Sequence, residues 1–294
     1  MTNTYPTAPL PAARPSDPVK KAPSGACDAH VHMVAGPDVF DLWEGRVEDP
    51  GAGSFETWLD LYRTHLDVLG FDRGVIVHSI LYGTDNSVTA AAVEALGKDR
   101  FKGIGLVPDG SPASALDGLL DKGIVGVRLN YVHGGVLTFD GVTQLAPALH
   151  ERGMHIQMLM NAHKHMDELA DGVRAMPVDV VFDHIGWPDL AAGPGEPGFD
   201  LLCRLLAEGA CWVKLSGLYR LCDAPYDRAD AAVEALVKAN PERCLWGSDW
   251  PHLMLADATM PDAGTLLDAF YRAVPGTHDQ QRILVDNPAR LYRF

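Results

Sequence analysis

The chain is short of positive charge. Lysine and arginine number 24 against 39 aspartates and glutamates, a net charge of −15. It therefore lacks the cationic field that non-specific binding to nucleic acid or to an anionic membrane requires, although a few buried arginines can still receive an anionic small molecule. Cysteine is scarce and unpatterned. Cys27, Cys203, Cys211, Cys222 and Cys244 are odd in number and form no C-x-x-C, which excludes a zinc ribbon, argues against a disulfide framework and suits a reducing cytoplasm. No run of about 18 apolar residues is present to span a membrane, and the N-terminus lacks the apolar stretch of a secretory signal. No internal repeat is visible. No glycine-rich phosphate turn follows the first candidate strand, which counts against a doubly wound nucleotide-binding fold.

What is present begins with proline. Pro6, Pro9, Pro11, Pro15, Pro18 and Pro23 crowd residues 1–24, a density that neither a helix nor a central strand accepts. These residues read as a tail, draped on or free of a single domain spanning 25–294. From there, short apolar runs alternate with amphipathic ones. Eight strand candidates cover 26–32, 74–80, 101–107, 124–130, 154–160, 179–185, 211–217 and 243–249. Helical patterns fall at 54–69, 86–96, 114–122, 142–152, 165–175, 199–209, 229–239 and 264–274. Eight such alternations specify an α/β fold, a (β/α)8 TIM barrel, whose active site lies at the C-terminal ends of the strands. The long loop 33–53 after the first strand is expected to form a lid or wall over that face.

Strand alternation then selects the chemistry-bearing residues. In the first strand Asp28, His30 and His32 share a face, and two inward imidazoles at a strand end can hold one ligand or one metal ion. His184 in VFDHIG shares a face with Phe182 and either joins that pair or stands as a core histidine. Asp249 in WGSDWPH ends the eighth strand above the small Gly247, where a carboxylate reads as catalytic. Strand four presents Arg128 and Asn130 together, and a buried arginine needs a carboxylate of the protein or of a substrate. Arg220 follows strand seven and can reach over the mouth, whereas Lys214 lies deeper and suits a structural ion pair. His163 is either a further metal ligand or part of a surface helix, and His252 lies beside the site or on the surface. Tyr82, Asn130, Tyr131 and Tyr219 can shape the pocket, and His78 and His133 lie near strand ends.

DAHVH, HSILYGTDN, GVRLNY, FDHIGWPD, VKLSG, WGSDWPH and DNPARLY, in this order over residues 25–294, resemble the amidohydrolase superfamily. Within it they are similar to the branch containing 2-pyrone-4,6-dicarboxylate hydrolase, 4-sulfomuconolactone hydrolase and galactarolactone isomerase. The resemblance implies an amidohydrolase-type barrel acting on a lactone ester, with a place in aromatic-compound catabolism. It implies that His30, His32, His184 and Asp249 carry catalysis, either metal-free or around one Zn2+ with His163 as a further candidate ligand. No counterpart of the bridging lysine or glutamate of binuclear members stands on strand four, where Arg128 is found. Arg128 and Arg220 match two of the arginines that surround a dicarboxylate substrate. Positions near Gly134 and at Trp187 lack two more. The expected function is hydrolysis of a small acidic lactone such as a muconolactone, with Asp249 as general base, Arg128 and Arg220 on the acidic group and a slight preference for one zinc. A lactone isomerase, a decarboxylase of the same superfamily and a ligand-binding barrel without turnover are the alternatives.

Overall fold

The computed structural model describes residues 5–294, so the first four residues of the proline-rich segment lie outside the described residues. Eight parallel strands, β1 (Cys27–Val31), β2 (Arg73–Val77), β3 (Phe101–Gly105), β4 (Ile124–Asn130), β5 (His155–Leu159), β6 (Val180–Phe182), β7 (Trp212–Leu215) and β8 (Cys244–Trp246), pair in sequence order. Between and after them run α1 (Phe55–Leu69), α2 (Ser87–Leu96), α3 (Ser114–Leu120), α4 (Phe139–Glu151), α5 (Ala162–Ala175), α6 (Pro197–Glu208), α7 (Asp230–Ala239) and α8 (Ala263–Ala273). This is the (β/α)8 barrel, closed between β8 and β1 by a Val31–Trp250 bridge and by the Asp249 amide donating to the His30 carbonyl at 2.8 Å.

Local chemistry sets the element ends. Ser54 caps α1 by accepting from the Thr57 amide, and Gly70 ends it in the left-handed conformation. Thr138 caps α4 and Glu196 caps α6 ahead of Pro197. α4 thus starts three residues earlier than the apolar periodicity indicates, because its cap rather than burial defines the start, and α5 starts three residues early without a side-chain cap. Two further short helices, α9 (Thr277–Gln281) and α10 (Asn287–Tyr292), follow the barrel. Asn287 donates to the Pro241 and Cys244 carbonyls, and Tyr292 joins Cys27, Ala29, Val75, Val77, Ile104, Val181, Trp212 and Leu245 in a small apolar cluster that fills the lower bore. A larger apolar cluster joins the outer strand faces to the helices.

Residues 5–24 lie along the barrel. The Ala8 amide donates to the Asp49 carbonyl, Ser16 bonds Asp262 through its amide and hydroxyl, the Val19 amide donates to Asp268, and Tyr271 donates to the Lys21 carbonyl. Loop 33–53 is tied down on two sides. The Tyr82 hydroxyl donates to the Ala35 carbonyl and accepts from its amide, and Glu48 accepts from the Met254 amide. The loop is a wall of the mouth, braced against the segments after β2 and β8. Among the described residues no helix is long and apolar enough to cross a membrane.

Candidate active site

The site forms where β1, β4, β6, β7 and β8 end. The alternation reading needs two corrections here. A register irregularity between Asp28 and Val31 breaks the shared face in β1. His30 and His32 reach the mouth, but Asp28 turns to the Ser248 amide and hydroxyl at 2.9 and 2.5 Å. In β6 the inward residue after Val181 is Asp183, not His184. The strand ends at Phe182, and His184 enters the site because the backbone turns left-handed at His184, Ile185 and Trp187, with φ of 54°, 50° and 44°. Asp249 is left-handed too, at φ 62°. Such conformations cost a non-glycine residue energy and concentrate at functional sites.

Asp249 is fully buried, and its two oxygens have different surroundings. Oδ2 accepts from the Tyr219 hydroxyl at 2.7 Å and from Arg220 Nε at 3.0 Å, with Arg220 Nη2 in ionic contact at 2.9 Å. Oδ1 has no hydrogen-bond partner and lies 3.5 Å from both His30 Nε2 and His32 Nε2. Burial alone would raise its pKa, but the Arg220 guanidinium beside it holds the carboxyl well below the usual range. It is a carboxylate at neutral pH. His184 Nε2 stands 3.8 Å from Oδ2, and its Nδ1 meets the Ser216 hydroxyl at 3.0 Å. Burial lowers the pKa of all three imidazoles, that of His184 to about 4, so they are neutral.

Gly217 and Gly247 make this crowding feasible. A Cβ on Gly217 would lie 2.6 Å from His184 Nδ1, and one on Gly247 would lie 2.6 Å from His30 Cβ.

Beneath the imidazoles lies Lys214, with no solvent exposure. Its Nζ is 2.5 Å from Gln157 Oε1, 3.0 Å from His30 Nδ1 and 3.3 Å from Asp183 Oδ1. Asp183 Oδ2 is 3.6 Å from Arg128 Nη2. Burial would raise the Asp183 pKa, yet Lys214, His30 and Arg128 bring it well below the ordinary value. Asp183 escaped the sequence reading, although its parity with Val181 was the available signal.

The remaining candidates divide by what already occupies them. Arg128 donates to the His78 carbonyl at 3.2 Å, and its Nε has no partner. Arg220 also holds the Leu253 carbonyl at 3.0 Å. The Tyr82 hydroxyl is spent on Ala35, the Tyr131 hydroxyl donates to Glu168 at 3.0 Å, and Asn130 Oδ1 accepts from the His133 amide. His78 is buried against Thr89 and the Gly83 carbonyl, and His252 is buried with its ring 5.2 Å from that of Tyr219. His163 sits in the first turn of α5, near Gly198 of α6, and does not join the Asp249 group.

The amidohydrolase family model matches residues 27–294. The chain belongs to the amidohydrolase family. It is 36% identical over 292 residues to 4-sulfomuconolactone hydrolase of Rhizobium radiobacter, covering 96% of this chain and 94% of that relative. It is 33% identical to 2-pyrone-4,6-dicarboxylate hydrolase of Comamonas testosteroni, covering 95% and 94%. Among solved structures, a probable 2-pyrone-4,6-dicarboxylic acid hydrolase of Acinetobacter baumannii with citric acid bound superposes with a TM-score of 0.79 at 28% identity, covering 92% of this chain and all of the other.

Amidohydrolases often use a metal, and ligand atoms of His30, His184 and Asp249 lie within 4.8 Å of one another, a spacing that could hold an ion. The hydrogen bonds do not favour it. A ligating imidazole needs a bare nitrogen facing the ion, whereas Lys214 already occupies the far nitrogen of His30 as a donor. The residues as placed do not offer His30 as a zinc ligand.

Proposed function

We propose that this amidohydrolase hydrolyses the ring ester of a small acidic lactone. The observation that carries the reading is the asymmetry of Asp249: one oxygen is clamped by Tyr219 and Arg220, and the other is unpartnered and ionised beside neutral imidazoles. Water placed against Oδ1 gives its proton to Asp249 as its oxygen attacks the lactone carbonyl. The imidazoles of His30 and His184 line the side where negative charge develops on the carbonyl oxygen, and N–H donors there lower the barrier, while His32 orients the His30 ring. When the tetrahedral adduct collapses, the ring oxygen leaves and takes back the proton held by Asp249. Zinc is not needed for this sequence of proton transfers.

Arg128 makes one hydrogen bond and one longer ionic contact, so its guanidinium retains donors for a substrate carboxylate or sulfonate. Arg220 is committed to Asp249 and acts on the substrate through that carboxylate. With Trp187 and Gly134 where further arginines would receive a second acid, a lactone bearing one acidic group fits better than a dicarboxylate. The five free thiols suit the reducing cytoplasm.

The test is a hydrolysis screen of carboxy- and sulfo-muconolactones, pyrone dicarboxylate and sugar-acid lactones, with products identified. A monoacidic lactone should turn over fastest. Preference for the pyrone dicarboxylate would overturn the substrate assignment. Ring isomerisation without net uptake of water, or release of CO2 from an aromatic acid, would overturn hydrolysis.

A further inference from the structure

The hydrogen bonds through His30 and His32 can be read from both ends, and the two ends agree. At one end, His32 Nδ1 lies 2.8 Å from the Val77 carbonyl oxygen. A carbonyl only accepts, so His32 carries its proton on Nδ1 and leaves Nε2 bare. That bare nitrogen lies 3.3 Å from His30 Nε2, and the contact is a hydrogen bond only if His30 is protonated on Nε2. At the other end, the Lys214 ammonium lies 3.0 Å from His30 Nδ1, and an ammonium only donates, so Nδ1 must be the bare atom. The chain of donation therefore runs one way, from Lys214 to His30 to His32 to Val77.

Asp183 Oδ1 lies 3.1 Å from the same His30 Nδ1, within reach of a proton there but without a hydrogen bond to it. His30 thus has two competing partners at Nδ1. A donor selects the Nε2–H form, and an acceptor would select the opposite form, which turns a bare Nε2 toward Asp249.

We propose that Lys214 is a positioning residue that selects the Nε2–H tautomer of His30, so that this imidazole is a hydrogen-bond donor at the mouth and not a metal ligand. Asp183 and Gln157 hold the Lys214 ammonium in place from the other side. The inference deepens the lactonase reading by assigning the polarising role to a proton on His30, with its character set from beneath by a group that does not touch substrate. The same residue explains how a spacing suited to an ion can belong to a site that works without one. Fixing the tautomer of a histidine by its far nitrogen is the general way in which surrounding groups decide between proton donation and metal ligation.

The deciding measurement is the imidazole nitrogen NMR spectrum of the uniformly 15N-labelled wild-type protein, with His30→Gln used to assign the resonances. His30 should show a protonated Nε2 and a bare Nδ1. The companion experiment is Lys214→Met, which removes the donor and leaves Asp183 as the only partner at Nδ1. In that variant His30 should switch to the Nδ1–H form, and affinity for added zinc should rise about tenfold or more, the scale on which such supporting groups act. A wild-type His30 protonated on Nδ1 would overturn the proposal. So would a Lys214→Met protein whose tautomer and zinc affinity match the wild type. The wild-type spectrum decides the matter even if Lys214→Met does not fold. Neither readout uses substrate, so failure of the lactonase assay would overturn the function and leave the tautomer assignment standing.

Discussion

Replacing Asp249 by asparagine separates what this residue does for chemistry from what it does for the fold. The amide keeps the shape, and its oxygen can still accept from Tyr219 and Arg220. It removes the negative charge and the unpartnered oxygen of Asp249 that faces the imidazoles. General-base contributions run from about 10²- to 10⁴-fold, which is about 3 to 5 kcal/mol of barrier at 1.36 kcal/mol per decade. The cost to stability is smaller than the 3–5 kcal/mol typical of an orphaned buried ion, because Arg220 keeps its bond to the Leu253 carbonyl and its side chain is 11% exposed. We expect a loss of about 1–3 kcal/mol there, with a folded protein.

The assay is kcat and KM on the best lactone from the screen, with Tm measured in parallel. The expected result is a fall in kcat of about 100-fold or more with a modest fall in Tm. The pH profile adds a second check. The Asp249 pKa is held well below the ordinary value, so the base is ionised throughout the neutral range, and wild-type activity should show no acid limb from this group between about pH 5 and 8. Retention of most of the wild-type kcat by Asp249→Asn would refute the assignment of the base and move the search to His184.

Two further perturbations test the scaffold. Burial pushes His65 and His78 down to about 4, and His155 and His252 down to about 3. Because these folded-state values lie below the unfolded one near 6.5, the neutral rings stabilise the fold fully above that pH, and this stabilisation is lost as pH falls from there through about 4. At pH 5 each accounts for about 2 kcal/mol. Asp28, raised to about 7 by burial, acts in the opposite sense and loses stability as pH rises through 7, but it is one group against four. Denaturant unfolding at pH 7, 6 and 5 should show a fall of several kcal/mol, and a flat profile would contradict the burial argument. Gly247→Ala would place a methyl group 2.6 Å from His30 Cβ and 2.8 Å from its amide nitrogen. A cost of about 1–3 kcal/mol in stability is expected from overpacking, together with reduced kcat because His30 moves. An unchanged Tm and kcat would show that β1 and β8 have room to separate.

The barrel was legible because parallel strands buried on both faces leave near-continuous apolar runs, and because helices betray themselves by three- and four-residue spacing. All eight strands fall within two residues of where those patterns place them, except that β2, β6 and β8 stop three residues early. Those early ends matter most. A strand that stops frees the next residue from alternation, and His184 and Asp249 reach the mouth through left-handed turns that no periodicity encodes. The same rule misplaced Asp28, where an irregularity shifts the register of β1. It would have found Asp183 had its parity been counted from Val181. Position near strand ends points to Tyr82 and Tyr131, but a hydroxyl's availability depends on partners far away in sequence, Ala35 and Glu168, and composition carries no trace of those pairings.

The charge balance shows the same limit from another side. Over the whole chain the sign is strongly negative, yet at the site three cations, Arg128, Lys214 and Arg220, face two carboxylates, Asp183 and Asp249, with the imidazoles neutral. The excess of one positive charge is held where solvent screening is weak, so it outweighs a diffuse surface charge that salt screens within about 8–10 Å. On the proposed reading, that one uncompensated cation would receive one acidic group of the substrate. A second acid would enter against the indole of Trp187 without a partner, and an unpaired buried anion costs more than the remaining contacts recover. The anionic surface then has no bearing on which ligand is chosen. It affects how fast an anion arrives, and raising the salt concentration should therefore increase kcat/KM for an acidic lactone while leaving kcat nearly unchanged.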